Sequence, residues 1–133
     1  MATTTAQLTL SSADLTGDVL NLSVTATLTN AGTTTGISQT TGVARKFYSS
    51  AQTATLLFAA ASYSDNTAHK VYVRNLSTTP SEYINLELGS GNLPLGRLYA
   101  GDWAFFPWDG TNDIDIDTSA SNMTIEYALF FED

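Results

Sequence analysis

Asp18-Val-Leu-Asn-Leu-Ser-Val-Thr-Ala-Thr-Leu-Thr29 alternates strictly from its third residue: Leu20, Leu22, Val24, Ala26 and Leu28 are separated by the single polar residues Asn21, Ser23, Thr25 and Thr27. Successive side chains of a strand point to opposite faces, so this spacing predicts a β-strand with one apolar face and one hydroxyl-rich face. A helix would need apolar residues three and four apart, and no window longer than a turn or two holds that period with a capping signal. One helical turn within Ser62 to Ala68 is the only exception the sequence offers.

Working outward, the same alternation or a short apolar run marks Ala6 to Ser11, Val43 to Ser49, Thr53 to Ala59, His69 to Asn75, Tyr83 to Leu88, Trp103 to Phe106, Ile114 to Asp117 and Met123 to Phe131. With the first segment that makes about nine strands. Between them lie clusters of Gly, Pro, Asn, Asp and Ser, the residues that accept a positive φ or pre-set a turn. Short strands at regular spacing predict an all-β antiparallel sandwich, jelly-roll-like, as one domain over residues 1–133. Residues 1–11 are a candidate N-terminal arm and residues 30–42 a candidate long loop. Lys70 to Asn75 and Glu82 to Leu88 are expected to pair as a hairpin, with Val71, Val73, Ile84, Leu86 and Leu88 facing the core together.

Only 14% of the 133 residues are charged, against roughly 25% in an average soluble domain, so Thr, Ser, Asn and Gly must cover much of the surface. The net charge of −8 would repel a phosphate backbone and argues against nucleic acid as a partner. All of it arises from Asp65 onward, where eleven acids face Lys70, Arg74 and Arg97. The absence of cysteine rules out disulfides and thiolate metal sites. Residues 1–10 carry neither a basic nor an apolar leader segment, and no apolar run is long enough to span a bilayer as a helix. The expectation is a chain made soluble, with no membrane partner.

His69 is the only histidine, so neither a Ser/His/Asp nor a Cys/His set can be completed around it, and a structural role is expected. The thirteen acids could supply a glycosidase pair, but nothing in their spacing singles one out, and the chain is read as non-enzymatic. Asp109-Gly-Thr-Asn-Asp-Ile-Asp-Ile-Asp117 is the strongest local signal. On a strand, Asp113, Asp115 and Asp117 line one face while Ile114 and Ile116 enter the core. With Asp109 they are a candidate calcium site, weighed against an ordinary acidic strand face; no other cofactor is expected. Leu98-Tyr-Ala-Gly-Asp-Trp-Ala-Phe-Phe-Pro-Trp108 packs five aromatic residues into a short span. Tyr99, Trp103 and Trp108 are the candidate binding residues of an aromatic surface for sugar rings or protein, weighed against core packing.

The successions Val71-Tyr-Val-Arg-Asn75, Tyr83-Ile-Asn-Leu-Glu-Leu88, Leu98-Tyr-Ala-Gly-Asp-Trp103 and Met123-Thr-Ile-Glu-Tyr127 resemble small virion structural proteins of tailed bacteriophages. The Thr-rich start, with Leu28-Thr-Asn-Ala-Gly-Thr-Thr34 and Gly42-Val-Ala-Arg45, is similar in character. The resemblance implies a homo-oligomeric β-sandwich in the virion, a trimer among the candidate orders, that decorates or cements a capsid through contacts with the major capsid protein or forms a fibre or knob. It carries over no binding residue. A carbohydrate- or receptor-binding module is the alternative.

Overall fold

A computed structural model of the protein describes residues 2–132, and it is all-β and antiparallel. The chain divides into two compact units, one up to Ser38 and one from Gln39 onward. The paired sheets of the sandwich lie in the second unit.

In the first unit, β1 (Thr5–Ser12) and β2 (Leu20–Thr27) form an unbroken ladder of pairs, from Thr5 opposite Thr27 to Ser12 opposite Leu20. Most of the candidate arm is therefore a hydrogen-bonded strand; residue 1 lies outside the described residues. Beyond β2 the Leu28 N–H donates to the Thr4 carbonyl, the Ile37 N–H donates to the Leu28 carbonyl, and Thr29 bridges Gly36. The start of the candidate loop is thus folded back on itself.

The second unit holds β3 (Gln39–Thr40), β4 (Ala44–Tyr48), β5 (Thr55–Phe58), β6 (His69–Asn75), β7 (Tyr83–Leu88), β8 (Leu93–Tyr99), β9 (Trp103–Trp108), β10 (Ile114–Thr118) and β11 (Met123–Phe131). One sheet has the order β5-β10-β7-β8; the other runs β3-β11-β6-β9, with β4 also on β11. The inner faces supply one core: Phe58, Ile84, Leu86, Ile114 and Ile116 from the first sheet, and Tyr48, Val71, Val73, Trp108, Met123, Ile125 and Leu129 from the second. Each fully buried aliphatic side chain among them contributes about 1.5–3 kcal/mol, so closing the sheets face to face is what the alternation encodes. A single 3-10 turn occupies Ala60–Ser62, just before the segment where the sequence suggests one.

Two expectations are corrected. Among the described residues there are eleven strands; the additions are β3 and β8, and β8 contains Pro94 and Gly96. Proline cannot donate to a ladder and is tolerated because β8 is an edge strand. The expected hairpin of β6 with β7 does not form. β6 pairs with β9 and β11, and β7 pairs with β8 and β10, so Val71 and Val73 meet Ile84 and Leu86 from opposite sheets. No helix among the described residues is long and apolar enough to cross a membrane.

Candidate functional site

Tyr99, Trp103 and Trp108 do not share a surface. Trp108 is only 4% exposed; its ring packs against Phe58, Tyr63 and His69, and its Nε1–H donates to the Asn112 carbonyl at 2.8 Å. It is a core residue, which corrects its reading as a ligand-binding one. His69 lies beside it, fully buried, with Nδ1 accepting from the Glu132 N–H and Nε2 2.9 Å from the Ser64 carbonyl. With Nδ1 an acceptor, the ring is the neutral tautomer that donates from Nε2, a structural role.

Trp103 is 53% exposed and sits opposite Arg74 on the outer face of the β3-β11-β6-β9 sheet. Phe105 lies opposite Tyr72 on the same face, and exposed Phe47 opposite Thr124. Tyr99 belongs to the outer face of the other sheet. Its ring stands 5.4 Å from that of Tyr83, and the Arg97 guanidinium lies 3.8 Å from the centre of the Tyr83 ring. The two exposed aromatics therefore project from opposite faces of the sandwich.

The acidic strand forms where the alternation places it, with Ile114 and Ile116 wholly buried in the core. Its carboxylates are spent on separate tasks. Asp109 accepts from the backbone N–H and hydroxyl of Thr111, which holds its carboxyl below the ordinary range. Asp113 accepts from the Ala60 N–H at 2.7 Å. Asp117 accepts from the Ala54 N–H at 2.7 Å and from the Asn85 amide. Asp115 stands opposite Glu87. The expected calcium set is not assembled: among the described residues no group of three or more His, Asp or Glu side chains could hold a metal ion. Crowding leaves Glu87 and Asp115 each less than a tenth exposed and raises both carboxyls, Glu87 by desolvation and then by the charge of Asp117, Asp115 by desolvation and then by Asp113.

The β1–β2 hairpin presents an exposed apolar face. Ala6 opposite Ala26, Leu8 opposite Val24, Leu10 opposite Leu22, and Leu20 opposite Ser12 make one apolar face; Thr5, Gln7, Thr9 and Ser11 with their partners make the other. Every residue of β2 is exposed, Val24 to 51%. A two-stranded hairpin is at best marginally stable in water on its own, and its apolar strip is the candidate interaction surface. The alternation carries the signal for these residues, yet it reads equally as a core-facing strand. No family model, curated protein or solved structure matches the chain.

Proposed function

We propose that the protein is a non-enzymatic virion structural protein of a tailed bacteriophage, a capsid decoration or cement protein whose hairpin docks on neighbouring subunits. The observation that carries this reading is the open apolar face of the β1–β2 hairpin, a strip of Leu and Val with no charged residue in either strand. Covering it on a partner returns about 25 cal/mol for each Å² of apolar area buried, and the absence of charge removes the desolvation cost that would oppose docking.

The sandwich supports the same reading. β4 pairs with β11, β5 with β10, β6 with β9 and β7 with β8, the nesting of one long hairpin wound on itself, which we read as a jelly roll. A jelly-roll sandwich of that kind together with a docking hairpin suits a load-bearing joint between subunits. The partners are the major capsid protein and further copies of this chain. In the test, labelled recombinant protein is added to particles lacking it. The reading expects saturable binding that restores resistance to heat and osmotic shock, and loss of binding when Leu10 and Leu22 become Asn. Absence of binding by the parent protein would overturn it.

A further inference from the structure

One outer face of the sandwich gathers most of the chain's positive charge. On the β3-β11-β6-β9 sheet, strand register aligns Arg45, Glu126, Arg74 and Trp103 in a row across β4, β11, β6 and β9, and Phe47 stands two residues along β4 from Arg45. Lys70 lies on the same face between Phe130 and Pro107, its Nζ donating to the Ala68 carbonyl. Arg45, Lys70 and Arg74 are three of the five Lys and Arg residues in a chain of net charge −8. Glu126, the carboxylate of the row, accepts from Arg45 Nε at 2.9 Å and from the Tyr72 hydroxyl at 2.8 Å, contacts that hold its carboxyl below the ordinary range. Its charge is thus balanced within the face. Asp102, next to Trp103, accepts from the Tyr99 N–H at 3.0 Å.

The groups of this row are open to a ligand. Trp103 is 53% and Phe47 59% exposed, Arg74 is exposed, and the Arg45 side chain is exposed to 67%. Arg74 meets the Tyr72 hydroxyl and makes no ion pair among the described residues, so its guanidinium fork retains donors for an anion. The row therefore carries an aromatic ring and an arginine at each end, Trp103 with Arg74 and Phe47 with Arg45. The other sheet offers no such pairing around Tyr99. Arg97 there donates its Nε–H to the Asn85 side-chain oxygen and lies flat on the Tyr83 ring.

We infer that the outer face of the β3-β11-β6-β9 sheet binds an acidic oligosaccharide, a sugar ring stacking on Trp103 while its carboxylate is taken by Arg74. Neighbouring strands lie about 4.8 Å apart, so an indole and a guanidinium on paired residues can reach the apolar face and the anionic group of one ring. Charge complementarity selects an anion: three cations stand here against one carboxylate that is already paired. The same arithmetic limits its size, because a chain that is strongly acidic elsewhere repels a long phosphate backbone while a short acidic sugar meets only this face. Phe47 and Arg45 repeat the pair at the far end of the row and extend the platform to a further sugar. This is a binding activity beyond the docking of the hairpin, and every residue it uses belongs to the sandwich.

Isothermal titration calorimetry on the full chain tests it, with tetragalacturonate and sialyllactose as acidic probes and maltotetraose and lactose as their neutral counterparts. At least one acidic probe should bind saturably and more tightly than its neutral counterpart, and added salt should weaken it because the charges are exposed. Binding should also change the emission of Trp103, the exposed indole. Trp103→Ala and Arg74→Gln should each weaken binding about tenfold or more, the loss expected of one charge-assisted or stacking contact. Arg74→Gln should in addition erase the preference for the acidic probe, which a merely structural role would not do. Tyr99→Ala, on the opposite face, should bind as the parent does, and circular dichroism checks that each variant is folded. Failure of both acidic probes to bind at millimolar concentration would overturn the inference, as would equal binding of the neutral sugars or unchanged binding by both the Trp103 and Arg74 variants. Tighter binding of a short oligothymidylate than of either sugar would assign the face to nucleic acid instead and overturn it too. Particle binding through Leu10 and Leu22 is measured separately, and either result can fail without the other.

Discussion

Replacing the two tryptophans one at a time separates the core from the surface. Trp108 is 4% exposed, packs on three rings and donates to the Asn112 carbonyl, so Trp108→Ala removes a large buried side chain and leaves that carbonyl without its indole donor. Truncating a buried Trp typically costs about 3–5 kcal/mol. With a urea dependence of about 2 kcal/mol per molar, the unfolding midpoint should fall by about 1.5 to 2.5 M. Trp103 is half exposed, and Trp103→Ala should change stability by no more than about 0.5 kcal/mol. The assay is equilibrium urea unfolding followed by circular dichroism. Fluorescence gives an independent check: Trp103→Phe leaves a single buried emitter and should shift the emission to the blue. Equal losses for the two alanine variants, or a larger loss for Trp103→Ala, would refute the assignment of Trp108 to the core.

Other consequences can be measured on the same protein. The Glu87 carboxyl is raised in the fold, so its contribution to stability is present below its unfolded value of about 4.3 and is lost as pH rises through the folded value. Glu87→Gln should therefore raise the melting temperature at neutral pH and change it little in acid; a variant less stable at neutral pH would contradict this. Gly110 has φ +81°, and a Cβ there would lie 2.3 Å from the Ser64 carbonyl oxygen and 3.2 Å from His69 Nε2. Gly110→Ala should cost at least about 1 to 3 kcal/mol from the backbone alone, read as a lowered urea midpoint. Leu10→Asn with Leu22→Asn should leave the melting of the sandwich unchanged while reducing binding of a hydrophobic dye, because both side chains are exposed on the hairpin. An unchanged dye signal would show that the hairpin face is not the open apolar surface.

The strands that carry alternation were legible because the pleat imposes a period of two whether or not the face is buried. β2 shows this, since its Leu and Val line one face and yet remain exposed. For the same reason the sequence could not say that this face is uncovered. β8 was hidden by Pro94 and Gly96, and the strand containing Trp103 was cut short at Pro107. Both prolines are tolerated because β8 and β9 are edge strands, a property set by distant pairing partners. Carried one step past Pro107, the alternation places Trp108 on the side of Phe106, which is the core side. The alternation of β6 and β7 is equally compatible with a hairpin, because strands that share a core can lie in facing sheets as well as in one. The acidic residues fell on the expected face, but their partners, the Ala54 and Ala60 N–H groups, come from a segment more than fifty residues earlier and left no local trace.

The proposal that the protein is an assembly component of a phage virion is tested most directly by quantitative mass spectrometry of purified particles from the source in which its gene is expressed. A stoichiometric copy number, constant between preparations and lost together with particle stability when the gene is deleted, is the predicted result. Particles that lack the chain, or that are equally stable without it, would contradict the account.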